Sequence, residues 1–228
     1  MIKVCPLFLA VIIFSACSCN STKNNTSKIS EGIIEYEITY PNIDKDDIFM
    51  LGMMPKDMKM KFKNNNTIGE LKTGAGVFTT KFISNENQRN LFHYLKLVNK
   101  KYGLILDSAD IYSTYAKKPD DMKLVPSDST KVIAGYTCKR MDVVFNDDKK
   151  NFTIYYTDEI GIKDPNWCSP FHEISGVLME YNISQFNIDM HLTAKNVSAA
   201  ELSDDDFAIP AEYEKISQAE MEEKFTDF

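Results

Sequence analysis

Apolar and polar residues alternate along this chain in many short runs, and a period of two favours β-strands over helices. The first clear run, residues 34–40 (IEYEITY), ends before Pro41. A second run, residues 58–63 (MKMKFK), has lysines at every other position. Both are typical of strands with one buried and one solvated face.

Similar runs predict nine further strands, and the turns between them are short. These strands are expected at residues 67–73, 77–84, 91–97, 101–106, 131–134, 137–145, 151–157, 176–183 and 188–197. Residues 91–106 fit both periods, so a helix is the alternative to two strands there.

Helices are predicted to be few and short. The expected segments are a helix at 44–54 with acidic residues in its first turn, a helix or ordered loop at 107–118, and a long loop at 158–173. At the end of the chain, Ser217 and Glu220 match a capping box, which predicts a C-terminal helix. We therefore expect a single mostly β domain over residues 31–228, built from antiparallel meanders.

The first 16 residues have the order of a secretory signal peptide: a positive charge, an apolar run and small residues. The apolar run is shorter than the ~20 residues that a membrane-spanning helix needs. Residues 14–17 (FSAC) resemble the bacterial lipobox. That resemblance implies cleavage before Cys17, acylation of its sulfur and amine, and a lipidated flexible tether over residues 17–30. The alternatives are an ordinary cleaved signal peptide, or acylation of Cys19.

Acyl chains on Cys17 would hold the protein stably at a membrane, since each buried CH₂ contributes ~0.8 kcal/mol. No acidic residue lies between Cys17 and Glu31. Among similar lipoproteins, acidic residues there accompany surface export or retention in the inner membrane. By that resemblance we expect a location in the cell envelope, on the periplasmic face of an outer membrane.

Charge is concentrated at the end of the chain. The formal net charge is −7, and residues 201–228 hold ten acidic and two basic side chains. A chain without clustered Lys and Arg offers no surface for nucleic acid. The acidic tail is expected to be a solvated surface or a site for a protein partner.

Cys138 and Cys168 are the cysteines within the expected domain. In an oxidising compartment they could form a disulfide, and two separate buried thiols are the alternative. Their spacing lacks the pairing of a zinc site, so we expect no metal.

Several segments together carry a resemblance to a known group of proteins. They are residues 31–36 (EGIIEY), 133–139 (IAGYTCK), 154–160 (IYYTDEI), 174–181 (ISGVLMEY) and 207–210 (FAIP). Their order resembles a family of uncharacterised Bacteroidota lipoproteins related to the GLPGLI proteins. Such proteins are similar in build to the LolA/LolB lipoprotein carriers. The resemblance implies a curved, incomplete antiparallel barrel with short helices across its open side.

No pattern of catalytic residues is recognisable. The three histidines, His93, His172 and His191, are not spaced as metal ligands, and the motifs of hydrolases and nucleotide-binding proteins are missing from the sequence. We therefore expect no enzymatic activity, no metal and no cofactor.

Methionines are unusually dense near the start of the domain. Unbranched thioethers adapt to irregular apolar shapes, so this group predicts an apolar pocket, with ordinary core packing as the alternative and copper binding as a third reading. The candidate ligand-binding residues are Met50, Met53, Met54, Met58, Met60 and Phe62.

Two short patterns, Asp-Ser-Ala at 107–109 and Asp-Ser-Thr at 128–130, resemble the O-glycosylation pattern of Bacteroidota secreted proteins. The resemblance implies modification at Ser108 and Ser129.

Two functions are consistent with these features. The first is a binding module that holds a lipid or other apolar ligand in a concave β-sheet. The second is a structural or interaction lipoprotein whose core is filled by its own side chains and which binds an unidentified protein partner.

Overall fold

The computed structural model describes residues 28–73, 76–146, 150–185 and 188–226. Within these ranges, twelve strands form a single sheet, accompanied by three short α-helices and a 3-10 helix, Asp204–Phe207. The strands are β1 (Glu31–Thr39), β2 (Asp57–Lys63), β3 (Asn66–Lys72), β4 (Phe78–Asn85), β5 (Asn90–Leu97), β6 (Lys100–Leu106), β7 (Met122–Ile133), β8 (Tyr136–Phe145), β9 (Phe152–Thr157), β10 (Val177–Gln185), β11 (Ile188–Ala199) and β12 (Glu214–Lys215). The helices are α1 (Ile48–Met53), α2 (Ser108–Ser113) and α3 (Gln218–Thr226).

The strand order across the sheet is β12-β6-β5-β4-β3-β2-β1-β11-β10-β9-β8-β7. One meander runs from β1 to β6 and another from β7 to β11, and antiparallel pairing of β11 with β1 joins them. The sheet is curved and stays open instead of closing into a barrel. The predicted fold class, a mostly β protein with a curved antiparallel sheet and a few short helices, is confirmed.

The central strand β1 explains why the alternating pattern predicts the fold. Its inward residues Ile34, Tyr36 and Ile38 are buried in the largest apolar cluster. Burial of one such side chain contributes about 1.5–3 kcal/mol. On the outer face, Glu35 pairs with Lys59 across an exposed 3.1 Å contact, which contributes at most about 1 kcal/mol. The buried face therefore fixes the register.

The edge strand β7 is much longer than the predicted strand at 131–134, and that prediction was wrong in extent. Pro126 and the polar residues that follow it conceal the strand in the sequence. At a sheet edge, however, the missing N–H of a proline removes no ladder hydrogen bond. A register shift between Ser127 and Thr130 absorbs the irregular segment.

Residues 91–106 form the two strands β5 and β6, not the alternative helix. The helix predicted at 44–54 is shorter, and the expected acidic residues do not lie in its first turn. They precede it, and the carboxylate of Asp47 caps the helix by accepting from the backbone N–H of Met50 at 2.9 Å. The two-residue strand β12, parallel to β6, was not predicted.

The first part of the acidic tail, residues 204–213, folds against the convex face of the sheet. Phe207 and Tyr213 pack on an apolar cluster formed by Ile68, Ile83, Phe92 and Tyr94. Three acidic side chains of the tail pair with strand lysines: Asp206 with Lys61 at 2.8 Å, Asp204 with Lys63 at 2.9 Å, and Glu212 with Lys101 at 3.3 Å. Part of the tail is therefore neutralised by its own domain.

Candidate functional site

A cavity of about 470 Å³ lies on the concave face of the sheet. Successive side chains of a strand point to opposite faces, so alternate residues of β3 and β4 form its floor. Gly69 and Leu71 come from β3, and Thr80 and Phe82 from β4. The volume falls within the range of about 300–1,000 Å³ that is common for small-molecule sites.

The described walls of this cavity are mostly apolar and carry no charge. None of the described residues that line it is Asp, Glu, Lys, Arg or His. Among the described lining residues, the polar side-chain groups are the hydroxyls of Tyr, Thr and Ser, the amides of Asn166 and Gln185 and the thiol of Cys168. Transfer of an unpaired charge into such surroundings is strongly unfavourable, so the cavity suits an uncharged, largely apolar group.

All five candidate methionines line the cavity: Met50 and Met53 from α1, Met54 just after it, and Met58 and Met60 from β2. Met190, on β11, joins them from the far side of β1. It was missed because it lies far from the others along the chain. The cavity therefore has adaptable thioethers on more than one wall.

The sixth candidate, Phe62, does not line the cavity. Its side chain is fully buried in the main core cluster, next to Gly32 near the end of β2. The structure therefore places Phe62 in the core, and its contact with a ligand stays a prediction. Phe62 alternates with Met58 and Met60 and shares their face of β2, but it lies farther along the strand.

Helix α1 covers one side of the cavity and is held only loosely. None of its six residues is buried, and Ile48 and Phe49 are each 79% exposed. A hydrogen bond from the hydroxyl of Tyr40 to the backbone carbonyl of Pro55, at 2.5 Å, ties the segment after α1 to the residue that follows β1. Few buried apolar contacts are typical of a segment that opens at low free-energy cost.

The loop predicted at 158–173 covers another side of the cavity. Pro165, Cys168 and Phe171 of this loop line the cavity. Asn166 fixes it, because its Nδ2 donates to the carbonyls of Ile174 at 2.6 Å and Gly176 at 2.8 Å. The loop is therefore an ordered wall of the cavity.

The C-terminal helix α3 closes a third side. The predicted capping box is present: Glu220 accepts from the backbone N–H of Ser217 at 2.7 Å, and its own N–H donates to the Ser217 hydroxyl at 3.3 Å. Met221 is fully buried, and Phe225 both lines the cavity and contacts Phe78 edge to face. The sequence predicted this helix correctly.

A hydrogen-bonded group of polar side chains lies in the wall of the cavity. The ring of His93 is fully buried, with its Nε2 2.8 Å from the Thr80 hydroxyl and its Nδ1 2.9 Å from the Tyr115 hydroxyl. Burial lowers the pKa of His93 to about 3, so the ring is neutral at physiological pH. The sequence placed His93 on a strand but gave no sign of these partners.

The tyrosines of the cavity differ in their hydrogen bonds. The Tyr36 hydroxyl donates to the Leu178 carbonyl at 2.8 Å, and burial raises the pKa of Tyr36. Tyr181 packs edge to face on Tyr36, and its hydroxyl has no hydrogen-bond partner among the described residues. Tyr181 is thus one polar group of the inner cavity that remains available to a ligand.

A second, polar cavity of about 1010 Å³ adjoins the first, and we call it the vestibule. It includes the charged residues Lys117, Lys150, Asp189 and Glu222. The two cavities share six lining residues: Tyr115, Pro170, Phe171, Ile183, Gln185 and Met190. An apolar chamber next to a charged one is an arrangement that suits an amphipathic molecule.

Cys138 and Cys168 are free thiols in this structure and pack in different apolar clusters. This corresponds to the second sequence-based alternative, two separate thiols, and not to a disulfide. Burial raises the pKa of Cys138 to about 11 and that of Cys168 to about 12. Both thiols are therefore protonated and weakly nucleophilic.

The remaining candidate residues lie away from the cavity. Ser108 begins α2 and Ser129 lies on β7, both exposed, and their glycosylation stays a prediction. Cys17, the predicted signal peptide and residues 17–27 of the predicted tether fall outside the described residues, and these assignments stay predictions. Within the described ranges, no group of three or more His, Cys, Asp or Glu side chains is placed to hold a metal ion.

The chain matches no protein-family model and no curated protein sequence. Among the residues that the structure describes, no helix is both long and apolar enough to be a membrane span.

Proposed function

We propose that this chain is a non-enzymatic lipoprotein of the cell envelope that binds a lipid or another apolar ligand in the concave face of its sheet. The observation that carries the proposal is the cavity itself, whose described lining is apolar, uncharged and rich in methionine. Sites of this kind bind through buried apolar area and use a few polar groups for orientation.

The assignment to a membrane rests on Cys17. Acylation there would place the domain beside a bilayer, on the periplasmic face of an outer membrane. The resemblance to Bacteroidota lipoproteins related to the GLPGLI family, with a LolA/LolB-like build, belongs to the same proposal. An open, curved sheet with α1 and α3 across its concave side supports that build.

The absence of charged groups from the described cavity lining also supports a binding role over catalysis. General acid–base chemistry needs a side chain that can exchange a proton near neutral pH. His93, which adjoins the cavity, is held neutral and bonded on both ring nitrogens.

Native mass spectrometry of the protein purified from its host tests the binding proposal. A co-purifying lipid, together with saturable uptake of a fluorescent fatty acid by the delipidated protein, is the expected result. An unliganded mass combined with no uptake of the probe would refute it.

An interaction lipoprotein is the second candidate, and the exposed apolar pair Ile48 and Phe49 favours it. Exposed apolar side chains on a surface helix are typical of protein contacts. In that case, the double variant Ile48→Ser/Phe49→Ser would lose crosslinked partners in cells while the purified protein bound no lipid.

Membrane attachment has a separate test. Metabolic labelling with an alkyne palmitate should tag the wild-type protein and not the Cys17→Ala variant, and the variant should leave the membrane fraction. If the wild-type protein is not labelled, the anchor is disproved, whatever the cavity binds.

A further inference from the structure

The hydrogen bonds around His93 fix which atom carries each proton. The Thr80 hydroxyl lies 2.8 Å from Nε2 of His93 and also donates to the carbonyl oxygen of Tyr94 at 3.2 Å. Because a hydroxyl has one proton and a carbonyl only accepts, Thr80 must accept from His93 if both bonds are made. His93 is then protonated on Nε2.

This tautomer leaves Nδ1 of His93 as an acceptor. The Tyr115 hydroxyl, 2.9 Å away, must therefore donate to it. All three hydrogen bonds are made only in this arrangement. Tyr115 donates to His93, His93 donates to Thr80, and Thr80 donates to the Tyr94 carbonyl. The neutral state of the buried ring, whose pKa is lowered to about 3, is consistent with it.

The consequence concerns what Tyr115 can offer a ligand. Its proton is committed to His93, so its oxygen presents only lone pairs to any further partner. A ligand hydroxyl or amide N–H can donate to that oxygen. An ester or ether oxygen at the same place would face another acceptor, so neither oxygen would gain a hydrogen bond from the other.

Tyr115 also lies where the apolar cavity meets the vestibule. Among the described residues, Tyr115 and Gln185 are the polar side chains that border both chambers. The Gln185 amide can either donate or accept, so it does not select between ligands. The vestibule beyond them includes charged residues such as Lys117 and Glu222.

We propose that Tyr115 determines specificity for an amphipathic lipid that carries a hydrogen-bond donor, a hydroxyl or an amide N–H, where its chain meets its polar head. The chain occupies the inner cavity, the donor bonds to the Tyr115 oxygen, and the head lies in the vestibule. This inference rests on the proposed function, because it assigns a ligand class to the same cavity.

A matched pair of probes tests it: N-methylpalmitamide, which has one N–H, and N,N-dimethylpalmitamide, which has none. Their chains and carbonyl groups are identical. The wild-type protein should bind the N-methyl probe about 3–10-fold more tightly, the contribution of one neutral hydrogen bond. Competition against a fluorescent fatty acid measures both affinities.

The Tyr115→Phe variant should lose this preference and favour the more apolar dimethyl probe. Tyr181→Phe tests a second hydroxyl of the inner cavity, which has no hydrogen-bond partner among the described residues. Tyr112→Phe is the control, because Tyr112 lies three residues before Tyr115, is half exposed and lines neither cavity, and it should retain the wild-type ratio of the two affinities. The ratio of the two probe affinities is measured within one variant, so a general loss of stability affects both affinities alike and leaves the ratio unchanged.

The outcomes separate the two proposals. Equal binding of both probes by the wild-type protein would overturn the donor requirement and leave the lipid-binding function standing. Loss of the preference in Tyr181→Phe but not in Tyr115→Phe would move the selecting group to Tyr181 and overturn the role of Tyr115. No binding of either probe or of the fatty acid would overturn both proposals. The wild-type comparison decides the donor requirement even if Tyr115→Phe fails to fold.

Discussion

Gly69 opens the floor of the cavity, and filling that position should block binding while it stabilises the protein. Gly69 lies on β3 between Thr67 and Leu71, which also line the cavity. A Cβ added there would meet only the Met58 sulfur within 4 Å, at 3.7 Å, an ordinary van der Waals contact. The Gly69→Leu variant therefore meets no clash at its Cβ, and the rest of its side chain extends into the cavity.

The expected magnitudes follow from this geometry. Removing glycine from a strand interior gains about 0.5–1 kcal/mol, and burying a leucine about 1.5–3 kcal/mol. We expect the free energy of unfolding to rise by at most about 2–4 kcal/mol. The range is an upper bound, because flexible neighbours must repack around the new side chain. For a domain of this size each kcal/mol raises Tm by about 2–4 °C. A leucine that displaces two ligand methylenes, at about 0.8 kcal/mol each, should weaken binding more than tenfold.

Differential scanning calorimetry and titration with a fluorescent fatty acid measure the two effects. The matched control is Gly52→Leu, which adds the same side chain on α1 where an added Cβ would meet nothing within 4 Å, and it should leave binding unchanged. If Gly69→Leu binds the probe as tightly as the wild-type protein, the ligand does not occupy this cavity. A marked fall in Tm would instead show that the space at Gly69 is closed in solution.

Three further predictions concern stability. Gly103→Ala should lower the free energy of unfolding by about 1–3 kcal/mol in urea titrations. The reason is that the alanine Cβ would come within 3 Å of the Tyr213 ring. An unchanged urea midpoint would show that Tyr213 does not pack against this position. Ser217→Ala removes the cap of α3 and should cost about 0.5–2 kcal/mol, whereas Gln218→Ala, one residue on, serves as a nearly neutral control. His93 has its pKa lowered from 6.5 to about 3, so below pH 6.5 the unfolded chain binds a proton that the folded protein does not. Stability should therefore fall as pH decreases from about 6.5 to 5, by up to about 1.4 kcal/mol per pH unit. A His93→Gln variant with the same slope over this interval would contradict that assignment.

The sequence predicted the strands best where one face is buried and the other solvated. β1 and β2 follow that rule, since the period of two is imposed directly by the pleat. β7 does not, because an edge strand with a proline and a polar bulge has no continuous buried face to record in the sequence. The parallel pair of β12 with β6 involves only two residues, too few for any pattern.

The candidate site was predicted in part. Five methionines close together in the chain also lie around one cavity, because α1 and β2 are neighbours in both sequence and space. Met190, Tyr115 and Phe225 come from distant segments, and only the packing of α3 and the segment after α2 against the curved sheet brings them to the same chamber.

By itself, the sequence determined the mostly β architecture, the terminal helix and the adaptable apolar character of one wall, because each depends on the order of nearby residues. Only the tertiary structure decided that the concave face encloses space instead of being filled, that Phe62 lies in the core, and that His93 orients the Tyr115 hydroxyl. Those features depend on distances between strands far apart in the chain, and residue order alone does not specify how strongly a sheet curves or how much volume its side chains leave empty.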